Sequence, residues 1–289
     1  MSQQLRRIAR AICYLFMLVL SDSYAIEADT LRLVALDVGE GQAILLQRGT
    51  HGILIDTGHA GKAKYVLDRL DYYGVTKLDY LILTHLHPDH ASGYFRLREA
   101  FPTTPILSHQ LPHKYTKHTD MARWVAEAIE NDPHSRQYRS DNHLQWHGIT
   151  ITPLWPKTKH NEDLNDNSLV LEVDYRQHKA LLMGDVGSTI EEELMKGGLL
   201  SAPYAILVAG HHGSKGTSSN TFLTQVKPEV AIISTNRDNH RGYPAPKTMK
   251  RLQRHTIKAV YKTYEDGDIC LEWQPNSKSP HLCRLSPEQ

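Results

Sequence analysis

The sequence predicts a mixed α/β (α+β) fold, with a single domain that packs two β-sheets together and carries helices on the outside. Short β-rich runs alternate with amphipathic helical stretches along the chain. The pattern falls into two similar halves, each of which opens with strands and closes with helices. The 289 residues contain no repeat of solenoid period and no low-complexity linker, which favours one domain.

The first half is predicted to contain three consecutive strands, an amphipathic helix and a buried strand. Turns that contain glycine separate the three strands at 31–37, 43–47 and 52–56. Apolar residues recur at helical spacing within 63–73. The run 80–83 is apolar throughout, as expected of a strand that is covered on both faces.

The second half follows a polar stretch. Residues 108–147 are rich in His, Lys and Arg, and they are predicted to form an insertion over the surface with one amphipathic helix near 121–129. Beyond this stretch, the chain predicts strands at 169–173, 180–183, 204–208, 230–233, 259–261 and 269–273, and helices at 190–195 and 247–255.

The N-terminal segment 1–25 has the pattern of an export signal. Three arginines precede an apolar run at 11–20, and Ser23-Tyr24-Ala25 supplies small residues at the two positions that a signal peptidase inspects. The apolar run is too short for a stable membrane-spanning helix. A core helix and an uncleaved anchor are the alternatives. We expect a mature domain of residues 26–289, periplasmic or secreted, without a stable membrane span after processing.

Two cysteines, Cys270 and Cys283, would remain after removal of this leader. Outside the reducing cytosol, an even pair near the C-terminus is compatible with a disulfide. Two buried free thiols are the alternative.

The charge balance of 33 basic and 32 acidic residues gives no argument for or against a polyanionic partner. Local patches must therefore carry any such argument. Lysines, arginines and one histidine form a cluster at each of two places in the sequence. Each cluster could contact phosphates or simply face solvent. The insertion contains Lys114, Lys117, His118 and Arg123, and the late cluster contains Lys247, Lys250, Arg251, Arg254, His255, Lys258 and Lys262.

The most informative pattern is Thr84-His85-Leu86-His87-Pro88-Asp89-His90, which follows directly on the predicted buried strand. Alternate side chains of an extended segment point the same way, so His85 and His87 can bind one ion. Pro88 turns the chain, and Asp89 and His90 can then face a second ion. Imidazole and carboxylate ligands suit Zn(II), with Mn(II) or Fe(II) as alternatives.

This run matches the His-x-His-x-Asp-His signature of metallo-β-lactamase-fold hydrolases. The order and spacing of further segments resemble the hydrolase domain of bacterial competence (DNA-uptake) proteins of ComEC type, over nearly the whole mature chain. These segments are Asp37-Val38-Gly39-Glu40-Gly41-Gln42-Ala43, Leu54-Ile55-Asp56-Thr57-Gly58, Asn167-Ser168-Leu169-Val170, Met183-Gly184-Asp185 and His211-His212-Gly213-Ser214. The resemblance implies a four-layer αβ/βα sandwich with a metal site at the sheet edges.

The resemblance also implies a centre of two zinc ions. Its expected ligands are His85 and His87 for the first ion, Asp89 and His90 for the second, Asp185 as a bridge, and one of His211 and His212, of which His211 is favoured. Asp56 is expected to orient the loop of the signature from outside the ligand set. Asp89 is expected to orient a metal-bound hydroxide and to take up its proton.

Three departures from the related patterns are visible. His87 stands where the competence proteins commonly carry Asp, and it restores the general hydrolase pattern. Tyr243 replaces a histidine in the late Gly-His-Pro-x-Pro element. An extra metal histidine, known in lactamases and thioesterases of this fold, has no certain counterpart. His143, His147 and His160 are candidates by position only, and Asn167 could occupy that corner as a group aimed at metal or substrate.

The reaction class implied is hydrolysis, most directly of phosphodiesters, with single-stranded DNA as a candidate polymer. A β-lactamase or lactonase would share the site but would need an apolar pocket and usually the extra histidine. An esterase of phosphorylcholine type that acts on the cell envelope also fits export and the motifs. A binding module in which metals are only structural fits least, because structural sites seldom leave an open two-metal arrangement.

Overall fold

A computed structural model describes residues 29–109, 119–156, 163–274 and 276–283 of the chain. The predicted leader at 1–25 lies outside this range, as does His160. Within the described ranges, no helix has both the length and the apolar character that crossing a membrane requires.

The elements alternate along the chain much as predicted. The strands of the described residues, numbered in chain order, are β1 Leu31–Ala35, β2 Ile44–Arg48, β3 His51–Ile55, β4 Lys77–Leu83, β5 Ile106–Ser108, β6 Ser135–Gln137, β7 Leu144–Trp146, β8 Ile149–Trp155, β9 Val170–Tyr175, β10 His178–Leu182, β11 Ile206–Val208, β12 Val230–Ile233, β13 Ala259–Lys262, β14 Ile269–Trp273 and β15 His281–Leu282. The helices are α1 Ala63–Tyr72, α2 Pro88–Ala91, α3 Tyr94–Ala100, α4 Asp120–Glu130, α5 Ser188–Lys196, α6 Asn220–Val226, α7 Pro246–His255 and α8 Thr263–Asp266.

The strands pair into two sheets that share one plan. The first sheet has the order β15-β14-β1-β2-β3-β4-β5-β6, and the second has the order β13-β12-β11-β10-β9-β8-β7. In the first sheet, β1 to β3 are antiparallel and β3 to β6 are parallel. In the second sheet, β7 to β10 are antiparallel and β10 to β13 are parallel. The two similar halves expected from the sequence are therefore present.

Strand side chains alternate between an inner and an outer apolar layer. Leu33 and Leu46 of the first sheet pack with Val173 and Ile232 of the second sheet in the core between the sheets. Helices α1, α3 and α4 cover the outer face of the first sheet, and α5, α6 and α7 cover that of the second. The predicted single domain with four αβ/βα layers is confirmed.

The prediction that 108–147 is a surface insertion is wrong for the part that the structure describes. Helix α4 buries Ala122, Val125 and Ile129 against the first sheet. Strand β6 extends the first sheet, and β7 forms the edge of the second sheet. The polar composition misled the prediction because short edge strands bury only some of their side chains. Residues 110–118 lie outside the described ranges.

A disulfide joins Cys270 of β14 to Cys283, just after β15. The Cys283 amide also donates to the Cys270 carbonyl at 2.9 Å. The two cysteines are therefore paired and are not free thiols. Their separation of 13 residues means that the bond closes the hairpin at the edge of the first sheet.

Replacing both cysteines with serine should lower the free energy of unfolding by about 2–4 kcal/mol, because the open chain gains conformational entropy when the loop is no longer closed. Urea denaturation of the wild type and the double variant measures this difference. Wild-type protein reduced with a thiol should unfold at the same urea concentration as the variant. Equal stability of the oxidised and reduced wild type would contradict the expectation.

Candidate metal centre

The His-x-His-x-Asp-His run leaves the carboxyl end of β4 and bends in its middle. His85 and His87 lie on the loop, with His85 Nε2 at 3.1 Å from His87 Nδ1. Pro88 begins the short helix α2, because its fixed φ suits the first helical position. Asp89 and His90 lie on this helix. The signature therefore bends at Pro88, and the rings of His85 and His90 still lie only 4.2 Å apart between centroids.

Asp185 comes from the other half of the molecule, three residues after β10 ends. Gly184 precedes it with a φ of +52°, and a Cβ there would lie 2.8 Å from Ser168 Cβ. The Asp185 amide donates to Ser168 Oγ at 3.1 Å. Close packing and this hydrogen bond turn the Asp185 carboxylate into the interior, where the residue is only 2% exposed.

The Asp185 carboxylate lies among imidazoles from both halves of the chain. Its oxygens are 3.2 Å from Nε2 of His90, 3.6 Å from that of His212, 3.8 Å from that of His85 and 3.9 Å from that of His211. The donor atoms form two groups, and within each group all of them lie within 4.8 Å of one another. The first group contains His85, His90 and Asp185, and the second contains Asp89, His90 and His212. Asp185 belongs to the first group, and His90 belongs to both.

The preference for His211 over His212 is not supported by the geometry. His212 Nε2 lies 3.2 Å from His90 Nε2 and 3.4 Å from Asp89 Oδ2, and His212 is buried. His211 is nearer the surface, and its ring contacts the ring of Tyr243. Both histidines have left-handed backbone, with φ of 47° and 53°. This rare conformation decides which ring turns inward, and residue order does not reveal it.

Asp56 lies against His90 and outside the two groups of donor atoms. Its carboxylate is fully buried and accepts hydrogen bonds from the Thr84 amide, the Thr84 hydroxyl and the Gln42 side chain at 2.8–2.9 Å. His90 Nδ1 lies 2.7 Å from Asp56 Oδ2. Because a carboxylate only accepts, we assign the hydrogen to Nδ1, which leaves Nε2 facing Asp185.

The sequence analysis did not identify three side chains that hold the residues of the centre in place. Thr84 and Gln42 fix Asp56, and Ser168 fixes the Asp185 backbone. The Ser234 carbonyl similarly accepts from His212 Nδ1 at 2.8 Å. Their positions in the sequence could have revealed this role. All three are polar residues that lie inside or beside the quoted motifs and next to buried strands.

The charges of the centre depend on one another. Burial alone would raise the pKa of Asp185, but the positive charges of His90 and His212 outweigh burial and hold it well below its usual value. Burial and the charge of His90 lower the pKa of His85 well below normal, which favours a neutral imidazole. The carboxylates of Asp185 and Asp56 overcome burial at His90 and raise its pKa well above normal.

Two carboxylate oxygens of the centre remain without hydrogen bonds among the described residues. Asp89 Oδ2 and Asp185 Oδ1 are buried and accept none, although imidazole nitrogens lie 3.4 Å and 3.2 Å away. Burying a charged oxygen without such a bond is costly unless a cation lies beside it. The donor set of imidazole nitrogens and carboxylate oxygens therefore fits divalent cations of the zinc, manganese or iron type.

The remaining candidates of the sequence analysis lie elsewhere. Asn167 is buried, and its amide donates to the Asp163 carbonyl at 2.7 Å, outside the two donor groups. His143 is exposed. His147 lies against His51 and Asp79 and not at the centre. No described candidate therefore takes the place of the extra metal histidine.

Comparison with known proteins places these observations in a family. The family model described as Metallo-beta-lactamase superfamily matches residues 36–236. The competence protein ComA of Neisseria gonorrhoeae is 31% identical over 229 residues, which are 78% of this chain and 30% of that protein. Recombination protein 2 of Haemophilus influenzae is 30% identical over 245 residues, 83% of this chain and 28% of that protein. The chain spans about three-tenths of the length of these curated relatives.

Solved structures share the fold at low sequence identity. The metallo-beta-lactamase fold protein YhfI of Bacillus subtilis has a TM-score of 0.54 and 17% identity, and the match covers 85% of this chain and 100% of that one. Tm1679, described as a metal-dependent hydrolase of the beta-lactamase superfamily, has a TM-score of 0.51 and 13% identity, over 86% and 100% of the two chains. At these identities the likeness concerns the fold alone.

Gly41→Ala should disturb the centre without replacing any of its metal-binding side chains. Gly41 has a φ of +131°, and an added Cβ would lie 2.2 Å from the Asp89 carbonyl oxygen. Helix α2 must then shift, and we expect roughly a 10–100-fold loss of zinc affinity. Gly49→Ala is the control, because Gly49 also has a positive φ, of +55°, but a Cβ there meets nothing within 4 Å. Equal zinc affinity in both variants, measured by competition with a chelating dye, would contradict the expectation.

Proposed function

The chain belongs to the metallo-beta-lactamase superfamily, and on that premise we propose that it is an exported, two-metal-dependent phosphodiesterase. The observation that carries the proposal is the position of Asp185, whose carboxylate lies among imidazoles from both halves of the molecule. A buried acid that faces several histidines in this way is suited to bridging two ions.

The proposed ligands divide between the two ions. His85 and His87 would hold the first ion, Asp89, His90 and His212 would hold the second, and Asp185 would contact both. The 3.1 Å distance between His85 Nε2 and His87 Nδ1 supports the first group. The contacts of His212 with Asp89 and His90 support the second group. Zinc is the proposed metal because imidazole dominates the donor set.

Two divalent ions at such a centre lower the pKa of water and polarise the oxygens of a bound ester. Asp89 is the residue proposed to orient the attacking water and to take up its proton. Its Oδ2 is buried, accepts no hydrogen bond among the described residues, and lies on the side of His212. Burial and the charges of His212 and Arg241 lower the pKa of His211, and Arg241 itself pairs with Glu40 at 3.2 Å.

The proposed substrate class is a phosphodiester, with single-stranded DNA as the polymer. Two relatives are named for competence and for recombination, which are processes that involve DNA. Helix α7 offers a basic face beside the centre. The residue before this helix is fixed to the turn that contains His211 and His212, because the Ala245 amide donates to the Gly213 carbonyl at 2.9 Å. Exposed side chains follow at helical spacing on this face: Lys247, Lys250 and Arg254.

The predicted basic cluster is smaller than the sequence suggested. Arg251 donates to the carbonyls of Ser218 and Thr217 at 2.7 Å, so it fastens α7 to the loop before α6. Lys258 and Lys262 pair with glutamates, and His255 contacts Asn220. In the insertion, Arg123 pairs with Asp120, and Lys114, Lys117 and His118 lie outside the described residues. The proposed phosphate contacts are therefore restricted to the exposed face of α7.

Export is supported by two features. The leader pattern at 1–25 is one of them. The disulfide between Cys270 and Cys283 is the other, because disulfides persist mainly in oxidising compartments. The periplasm and the exterior of the cell are both such compartments.

Asp185→Asn should lower both metal content and turnover, because the amide cannot bridge two cations. We expect about two zinc ions at this centre in the wild type and at most one in the variant. Hydrolysis of bis-p-nitrophenyl phosphate should fall by roughly 100-fold or more. Asp174→Asn, which removes a carboxylate from β9 of the same sheet, is the matched control. Unchanged zinc by elemental analysis in Asp185→Asn would show that Asp185 is not a ligand.

Removing the basic face of α7 should weaken polymer binding and leave the chemistry intact. In the double variant Lys250→Ala with Arg254→Ala, the slope of log K against log salt for single-stranded DNA should flatten by about 1.4, or about 0.7 per lost phosphate contact. Turnover of bis-p-nitrophenyl phosphate should barely change.

Lys64→Ala with Arg96→Ala is the control, because it removes the same charge from exposed positions on α1 and α3. Equal losses of DNA affinity in the two double variants would mean that DNA binding depends on the overall charge of the protein and not on the basic face of α7. Rapid cleavage of nitrocefin without cleavage of any phosphodiester would favour the lactamase alternative. Selective cleavage of phosphorylcholine esters would favour the envelope esterase.

A further inference from the structure

A second cluster of metal-ligand residues lies at the opposite end of β4 from the centre. His51 Nδ1 lies 2.7 Å from Asp79 Oδ2, and His147 Nε2 lies 3.5 Å from the same oxygen. The rings of His51 and His147 are 4.6 Å apart between centroids. The three donor atoms all lie within 4.8 Å of one another. None of these residues belongs to the centre described above.

The cluster is far from the centre and joins the two sheets. Asp79 and His85 are six residues apart along β4 and its loop, which corresponds to about 20 Å at about 3.3 Å per residue. His51 begins β3 and Asp79 lies in β4, both in the first sheet, whereas His147 follows β7 of the second sheet. An ion bound by all three residues would cross-link the sheets at this edge.

The distances suit an ion of zinc type after a small adjustment. Zinc binds nitrogen and oxygen ligands at about 2.0–2.2 Å, so neighbouring donor atoms in a tetrahedral site lie roughly 3.3–3.6 Å apart. The 3.5 Å between His147 and Asp79 already falls in this range. The 2.7 Å between His51 and Asp79 would open by less than about 1 Å, because a metal would replace a hydrogen.

Asp79 is oriented by its other partners. Trp146 Nε1 donates to Asp79 Oδ2 at 2.8 Å, and Lys77 Nζ lies 3.0 Å from Asp79 Oδ1. The Asp79 side chain is only 10% exposed, whereas those of His51 and His147 are 33% and 44% exposed. A groove of about 600 Å³ borders Asp79 and His147, so an ion could enter and water could complete its ligands.

The backbone at His147 provides an independent observation. His147 and Gly148 form the two-residue turn between β7 and β8, and both have positive φ, of 46° and 77°. Such a turn favours Asn-Gly, Asp-Gly or Gly-Gly, whereas this chain has His-Gly. The sequence therefore has a less favourable residue in the turn, and this residue directs an imidazole towards Asp79.

We propose that His51, Asp79 and His147 form a structural site for a transition-metal ion of zinc type that cross-links the two sheets. Each residue supplies one donor atom, and water completes the coordination. Asp79 binds the ion through Oδ2 while Oδ1 keeps its pairing with Lys77. The site is separate from the catalytic proposal and does not depend on it.

His147→Asn tests the site because it removes the imidazole and suits the turn better. Equilibrium dialysis against zinc, followed by elemental analysis, should show one ion fewer per chain in His147→Asn and in His51→Ala than in the wild type. His143→Ala is the control, since His143 is an exposed histidine on the same segment. It should keep the wild-type zinc content. The measured quantity is the difference in zinc content between each variant and the wild type. The result therefore does not depend on how many ions the catalytic centre binds.

Thermal unfolding separates a bound ion from a simple ion pair. Added zinc should raise the unfolding temperature of the wild type more than that of His147→Asn, whereas chelator should leave His147→Asn at least as stable as the wild type. Lys77→Met should tighten zinc binding several-fold, because it removes a positive charge beside Asp79. Equal zinc content in wild type, His147→Asn and His51→Ala would overturn the proposal and leave an ion-paired cluster only.

Discussion

Burial of carboxylates at the junction of the two sheets is the constraint on which the rest of the centre depends. Asp56 is fully buried, Asp185 nearly so, and the Asp89 side chain is only 13% exposed. Removing an ion from water costs several kcal/mol, so each carboxylate must find positive charge or hydrogen bonds. His90 meets this need between Asp56 and Asp185, at 2.7 Å and 3.2 Å. The ions that we propose would complete the balance at Asp89 and Asp185.

This constraint accounts for the backbone around the centre. Gly41 approaches the Asp89 carbonyl so closely that no side chain fits, and the left-handed backbone at His211 and His212 turns one imidazole inward. Such conformations are unfavourable, and they persist where packing on every side determines them. The two parallel strand sets bring their loops together here, so each half of the chain supplies part of the ligand set.

The sequence predicted the layers well because buried strands are short apolar runs, and the strand at Ile269–Trp273 was placed at its observed bounds. The signature stood out because it follows such a strand, whereas Asp185 was expected from the resemblance to metallo-β-lactamase-fold hydrolases. The prediction failed at 108–147, where polar composition hid edge strands. It also favoured His211 over His212, since left-handed backbone cannot be recognised from two adjacent histidines. The sequence left open whether Arg251 contacts phosphate or faces solvent. It could not show that Arg251 binds backbone carbonyls, because these belong to residues 217 and 218, which are distant in sequence.

The most direct test of the centre is anomalous X-ray diffraction at the zinc absorption edge, with crystals of the zinc-saturated protein. The account predicts two peaks that flank the Asp185 carboxylate, one beside His85 and His87 and the other beside Asp89 and His212. Their separation should be about 3.5–4 Å. A single peak that Asp185 does not contact, or no peak between the two sheets' loops in zinc-saturated crystals, would contradict the account.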